Sequence, residues 1–400
     1  MLFRKTERKR LMHKDTVVLT GDYDPRRHGF VKVSKLIEPA HLPPGVLFSA
    51  SSVDLNTLNN WLLWRGIPHY RVDLEKLKKR LNIADEKDLL EEEYALSVSD
   101  QYWLCPVGQS VTWSSVNFFQ RSFDGNEFAK AVFRRSPYSA KESAIHTPNN
   151  TLCGFHRKAW VKENGTICLY KGSTGFNQQE CINEWLASVI ADCLSIYCVP
   201  YEVKKYEGQI VSVCPNFINP DLDLVTAGDA VLSSGEAGDA TAEQFLAVME
   251  AHGITDARRS LEEMYLLDYL MMNTDRHSQN AGVLLDAETN QWICMAPIFD
   301  TGTGLGCFTG SSQLDALEYE KNCRVFSEKH LSFDSLLARI TDWKRYDFSA
   351  LDTIPDRFRN VLFNYRSVTG ISDSRIEALV KLLNRRIENV RQYQLHHPYQ

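Results

Sequence analysis

Leu270-Met271-Met272-Asn273-Thr274-Asp275-Arg276-His277-Ser278-Gln279-Asn280-Ala281-Gly282-Val283-Leu284-Leu285 is the stretch on which the reading of this chain turns. Its apolar start, polar middle and apolar end predict a buried helix, a loop and a short strand. Downstream comes Ala296-Pro297-Ile298-Phe299-Asp300-Thr301-Gly302, with Asp300 twenty positions beyond Asn280. A loop holding an aspartate, an asparagine five residues on, and a second aspartate at a strand end is what phosphoryl transfer requires. One carboxylate accepts the proton of the attacking hydroxyl, while an amide oxygen and another carboxylate hold a divalent cation between phosphate oxygens. Mg²⁺ takes few carboxylates together with water and phosphate, so this sparse set suits it.

The chain around that stretch is ordinary for a globular protein. Its 400 residues are 44% hydrophobic and 24% charged, with 21 Gly and 14 Pro, which excludes collagen-like and globally disordered chains. At about 150 residues per domain, two or three units are expected. Forty-five Lys+Arg against 51 Asp+Glu leave a net charge of -6, so direct nucleic-acid binding is not expected. No secretory signal and no uncharged membrane span of about 20 residues is visible, and a cytoplasmic location is expected. Met1 to Lys14 is basic and reads as a flexible arm, a start at Met12 being the alternative. The ten cysteines form no C-x-x-C and read as buried hydrophobes of a reducing compartment, not as a zinc site. With no Gly-Lys dipeptide, no His-Glu dipeptide and no G-x-S-x-G, the P-loop, the zinc-protease helix and the hydrolase elbow are excluded.

Three parts are expected. In residues 1–122, an α/β subdomain of unassigned role, Thr16 to Thr20 reads as a strand, and Val53 to Arg65 and Leu74 to Leu81 as helices. Asp85 to Leu96 reads as a solvated acidic stretch, and Trp103, Trp113 and Phe118-Phe119 as aromatic anchors. In residues 123–219, a small β-rich lobe, Phe128 to Phe133 reads as a strand and Trp160 to Lys171 as a hairpin about Asn164-Gly165. There Ile182, Trp185, Leu186, Val189, Ile190, Cys193, Leu194 and Tyr197 lay one apolar stripe on a helix, and Val211 to Cys214 reads as a strand. In residues 220–400, a helical lobe, helices are expected at Ala242 to His252, Arg258 to Met272 and Ser374 to Tyr393.

Asp275-Arg276-His277-Ser278-Gln279-Asn280 with Ile298-Phe299-Asp300 resembles the catalytic and metal-binding loops of HipA-like serine/threonine kinases, and shares its D-R-H-x-x-N loop with phosphatidylinositol kinases. Gly154-Phe155-His156-Arg157-Lys158 resembles the first family's phosphate-covering segment, although the residues after the glycine depart from it. Lys171 resembles its strand lysine, Asn183-Glu184 the pair on its small-lobe helix, and Val199-Pro200 and Cys214-Pro215-Asn216-Phe217 its V-P turn and hinge. The resemblance spans roughly residues 125 to 390. It implies an α+β, bilobal protein-kinase-like fold with an additional N-terminal subdomain, ATP and Mg²⁺ as cofactors, and a protein Ser/Thr hydroxyl as acceptor. Asp275 would then act on the acceptor, with His277 and Lys171 in the catalytic set and Asn280 and Asp300 on the metal. Gly154, Lys158, Lys171, Glu184, Cys214, Asn216 and Phe217 would bind nucleotide, adenine lying on hinge backbone groups.

The resemblance also implies a toxin-type kinase with a small helix-turn-helix antitoxin partner, and places Thr151 near the family's autophosphorylated serine. Several readings stay open. The Lys171 partner is Glu184, or Glu180 one turn earlier. Arg276 touches phosphate or pairs with an acid, and His277 is catalytic or merely positions the loop. Gly302-Thr303-Gly304-Leu305-Gly306 reads as a flexible segment after the metal aspartate. Whole-chain alternatives are a lipid or small-molecule kinase and a pseudokinase scaffold that binds an antitoxin.

Overall fold

In the computed structural model the described residues are 6–50, 52–67, 74–81, 85–123, 125–133, 147–152, 156–235, 239–319 and 323–397. The chain divides into two compact units, each assembled from separate segments. The first comprises Met1–Tyr170, Asn216–Gly238 and Val283–Ile293; the second comprises Lys171–Pro215, Asp239–Gly282 and Cys294–Gln400.

The first unit is built on an antiparallel sheet in the order Gly29–Leu36, Thr16–Asp24, Glu7–His13, Tyr102–Pro106. Residues 1–5 of the basic start lie outside the described residues, but from Glu7 on it is a strand and not a loose arm. Glu7–His13 is an inner strand, paired antiparallel with Thr16–Asp24 on one side and Tyr102–Pro106 on the other, and it buries Lys9, Leu11, Met12 and His13. His13 is buried and meets Asp223 Oδ2 through Nε2 at 2.7 Å, and Gln101 N–H donates to the other oxygen of that carboxylate at 2.7 Å. Trp103, Trp113 and Phe118 pack in one core cluster with Met12 and Ile167, as aromatic anchors should.

Two further expectations in this unit change. Asp85 to Leu96 is not simply solvated: Leu89, Leu90, Glu93 and Leu96 are buried, and Glu91 accepts from Lys9, Tyr23 and His28. Phe128 to Phe133 is not a strand but the end of the helix Gly125–Phe133. Phe128, Ala129 and Phe133 are buried at a spacing of one and five, so helical periodicity over a longer window overrides the local alternation. The hairpin Lys158–Glu163 and Thr166–Lys171 turns on Asn164 and Gly165, whose φ values of 49 and 87 are those of a type I′ turn.

The second unit begins at Lys171. Its helix Gln179–Cys193 buries Ile182, Leu186 and Ile190, followed by the antiparallel pair Glu202–Tyr206 and Gln209–Pro215. The helix Ala242–Ala251 opens with a capping box between Thr241 and Gln244 and is followed by Gly253 at φ 85. Ala257–Met271 is buried continuously from Leu261 to Met271, including the charged Glu262, Glu263 and Asp268, so it is the axis of this unit. Ile354–Thr369 and Asp373–His396 pack against each other across Gly370, whose φ of 66 lets the chain reverse.

Candidate active site

Lys171 stands at the centre of the candidate site. Its Nζ donates to Glu184 Oε1 at 2.5 Å and contacts Asp300 Oδ1. The second oxygen of Glu184 accepts from the Ser212 hydroxyl. Lys171 is 6% and Glu184 1% exposed, so both charges survive only because they neutralise each other. Burial disfavours the ammonium, but Asp300 and Glu184 overcome it and push its pKa up. Burial raises the Glu184 pKa, with Lys171 opposing. Asp300 itself has φ 55, a costly conformation for a residue with a side chain, and its N–H donates to Tyr201 Oη at 3.4 Å.

The alternative partner, Glu180, has different work. Its carboxylate accepts from Ser173 Oγ, Thr174 N–H and Oγ1, and Gly175 N–H, the last at 2.6 Å. It folds the turn between strand and helix, and a Cβ on Gly175 would stand 2.7 Å from its Oε2.

The Asp275–Asn280 loop grows out of the end of the axial helix, where Met272 turns left-handed at φ 48. Asn273, fully buried, donates to Asp268 Oδ1 at 2.8 Å and accepts from Asp275 N–H at 3.2 Å and Thr303 Oγ1 at 3.0 Å. Arg276 pairs with an acid: Nε and Nη2 bind the two oxygens of Asp268, each at 2.8 Å. Its Nη1 donates to the carbonyls of Asn280 and, at 2.9 Å, Phe299. One buried guanidinium thereby holds both loops that end in the candidate metal ligands. Asn280 Nδ2 donates to the Asp275 carbonyl at 3.0 Å, which commits the amide nitrogen inward and leaves Oδ1 as the group for a cation.

Asp275 keeps 46% of its side chain exposed, as a group that must reach an acceptor should. His277 Nε2 lies 3.8 Å from its Oδ2, and Arg324 Nη1 lies 3.9 Å from its Oδ1. His277 Nδ1 accepts from Gln279 N–H at 3.2 Å, so the neutral ring carries its proton on Nε2, facing Asp275. Burial raises the Asp275 pKa, Asp300 adding to the rise while His277 and Arg324 oppose it. Burial lowers that of His277, against the pull of Asp275 and Asp300.

The glycine run after Asp300 is pinned rather than loose. Asn183 Nδ2 donates to the carbonyls of Gly302 and Gly304 at 2.9 and 2.8 Å, and Gln179 Nε2 to that of Leu305 at 3.0 Å. A Cβ on Gly304 would lie 2.2 Å from the Met271 carbonyl, so the glycine permits close packing on the axial helix.

The second unit thus brings together Lys171, Glu184, Asp275, His277, Asn280 and Asp300. Cys214 is buried in the strand Gln209–Pro215 of the same unit. Lys158 opens a strand of the first unit, where Asn216 and Phe217 also belong. Asn216 N–H already donates to the Ile167 carbonyl at 2.7 Å and its side chain to that of Val98 at 2.9 Å, so its amides are committed to the fold rather than offered to a base. Gly154 lies outside the described residues, and Thr151 ends the short 3₁₀ turn Pro148–Thr151. Asp268, Asn273, Ser212 and Arg324 were not singled out from the sequence. A lone carboxylate inside the apolar run from Met264 to Met272, as at Asp268, is the signal that points to such a partner.

No family model matches the chain, and no curated protein matches it. Solved structures do. The HipA of Shewanella oneidensis MR-1, determined with HipB and operator DNA, aligns with a TM-score of 0.51 at 12% identity, covering 96% of this chain and 99% of that one. The Helicobacter pylori proinflammatory kinase CtkA aligns with a TM-score of 0.47 at 18% identity over 62% of this chain and 94% of its own. The fold is therefore of the protein-kinase type, mixed helix and sheet, with the HipA architecture as its full-length likeness.

Proposed function

We propose that this protein is an ATP- and Mg²⁺-dependent kinase that moves the γ-phosphoryl group of ATP to a Ser or Thr hydroxyl of a protein. The observation that carries the reading is Lys171 held between Glu184 and Asp300, in the same unit as Asp275 and Asn280. An ammonium kept charged by two carboxylates is placed to orient nucleotide phosphates. Asp300 and the Asn280 amide oxygen form the hard, carboxylate-poor oxygen set that suits Mg²⁺. When bound, the ion supplies positive charge against the phosphate oxygens. Asp275 takes the acceptor's proton, with the Arg324 guanidinium and the His277 Nε2–H beside it.

The test is incubation of the protein with labelled ATP and Mg²⁺ in a cell lysate, followed by phosphosite identification. Asp275→Asn and Asp300→Asn should each lower transfer by about 10²–10⁴. Full transfer by either variant removes the assignment, and label found only in lipid would move it to the lipid-kinase class. We further propose a cytoplasmic enzyme of toxin type with a small helix-turn-helix partner, tested by co-purification with the product of the adjacent reading frame. Autophosphorylation at Thr151 is read by mass spectrometry in the same incubation.

A further inference from the structure

Arg375 is a buried charge of the second unit to which the kinase reading gives no role. It lies in the first turn of the helix Asp373–His396 and is only 3% exposed, yet among the described residues no carboxylate lies within ion-pair distance. Its guanidinium makes do with neutral acceptors: the carbonyls of Thr309 at 2.8 Å and Gly306 at 3.0 Å, and Gln179 Oε1 at 2.7 Å. Its Nε has no hydrogen-bond partner. A cation held away from water with no counter-ion is costly, and proteins normally pair it. The desolvation is enough to lower its pKa.

The Phe176 ring lies over it, 5.7 Å from Cζ, and one further polar group faces it. The hydroxyl of Ser311, an exposed residue that opens the 3₁₀ helix Ser311–Tyr319, lies 3.4 Å from Arg375 Nη1. The same long helix already receives an anion from this segment, since Asp315 Oδ1 binds Lys381 and Arg385, each at 3.1 Å. The chain from Gly306 to Ser311 is thus fastened to Arg375 at its carbonyls and ends in an accessible hydroxyl beside the buried charge.

We propose that Ser311 is a phosphorylation site and that Arg375 is the built-in receptor for its phosphate. In the modification the Ser311 Oγ–P bond forms and the bond from the γ-phosphorus to the bridging oxygen of a nucleoside triphosphate breaks. The nucleoside diphosphate leaves, and the hydroxyl proton passes to solvent. The phosphate adds about two negative charges and three acceptor oxygens, and supplies the counter-ion that Arg375 lacks. Because Arg375 also holds Gly306 and Gln179, the modified segment is tied down more firmly than the unmodified one. The inference concerns receipt of phosphate and does not rest on the proposed kinase activity.

The experiment uses the full-length chain with phosphoserine installed biosynthetically at position 311 and, as a positional control, at Ser312. Followed by ³¹P NMR, the second ionisation of a free phosphoserine falls near pH 6. Held by a guanidinium it should fall about one unit lower at 311 than at 312. Hydrogen exchange at the amides of Leu305, Cys307 and Thr309 should slow by about tenfold with phosphate at 311 only. Equal midpoints and equal exchange at the two positions overturn the receptor role. Arg375→Gln, which removes the charge, should erase most of the difference, and if it does not fold, the comparison of 311 with 312 still decides. Absence of a Ser311 phosphopeptide from protein recovered out of an ATP-supplemented lysate overturns the modification.

Discussion

Arg276 and Asp268 form a two-pronged ion pair, both contacts 2.8 Å, with neither side chain reached by solvent. The third guanidinium nitrogen binds the carbonyls beside both candidate metal ligands, so this pair sets the spacing of the two loops. Arg276→Met leaves Asp268 buried and unpaired, and stability should fall by about 3–5 kcal/mol in a denaturant melt. Adding Asp268→Asn should recover part of that loss, because the stranded charge is gone. A double variant that loses the sum of the two singles would contradict the pairing.

Glu184 and Glu180 sit one turn apart on the same helix and should respond in opposite ways. Glu184→Gln weakens the hold on Lys171 and should lower transfer by about 10- to 100-fold, with most of the loss in nucleotide use. Glu180→Gln should cost about 1–3 kcal/mol of stability, because four donors lose an ionised acceptor. Titration of nucleotide against rate, alongside thermal melts, separates the two; a reversed pattern would reassign them.

Asp275 should place the acid limb of kcat/KM above the ordinary carboxylate range, since burial raises its pKa. The sign follows from the role proposed for it: a base works when deprotonated, so activity is low below that pKa and climbs as pH rises through it. Arg324 lowers the same pKa, and Arg324→Gln should therefore shift the limb further toward neutral pH. A limb that stays put or moves down in that variant would show that Arg324 does not act on Asp275.

Gly304→Ala should destabilise by about 1–3 kcal/mol and depress transfer, since the added carbon meets the Met271 carbonyl at 2.2 Å. Gly310→Ala is the control, with its nearest neighbour at 3.7 Å. Its stability should change by no more than about 0.5 kcal/mol. Paired unfolding curves would reveal any departure from this order.

Much of the architecture was legible because it is local. The Asn164-Gly165 turn, the Thr241 cap and the apolar stripe from Ile182 depend on residues within a few positions of each other, although the helix stops at Cys193 and Tyr197, the last residue of the expected stripe, is exposed. The Asp275–Asn280 loop and the position of Asp300 at a strand end were legible from the polar break between an apolar helix and an apolar strand, whereas their chemistry rests on the resemblance of D-R-H-x-x-N and I-F-D. The Gly125–Phe133 helix was misread because six residues cannot separate a period of two from one of 3.6.

The sequence by itself determined which residue types were available and in what order: a lysine on a strand, two glutamates on a helix, and two aspartates flanking an asparagine. It also determined that the Glu7–His13 segment is basic, but not that the segment is an inner strand, because its outer partner strand begins 89 residues beyond His13. Only the tertiary structure decided that Glu184 rather than Glu180 meets Lys171, that Arg276 turns inward to Asp268, and that Arg375 is buried without a counter-ion. Each of these is a choice between neighbours on one helix or loop. Such choices depend on what the rest of the chain packs against them, since a buried charge goes to the partner that geometry brings within reach.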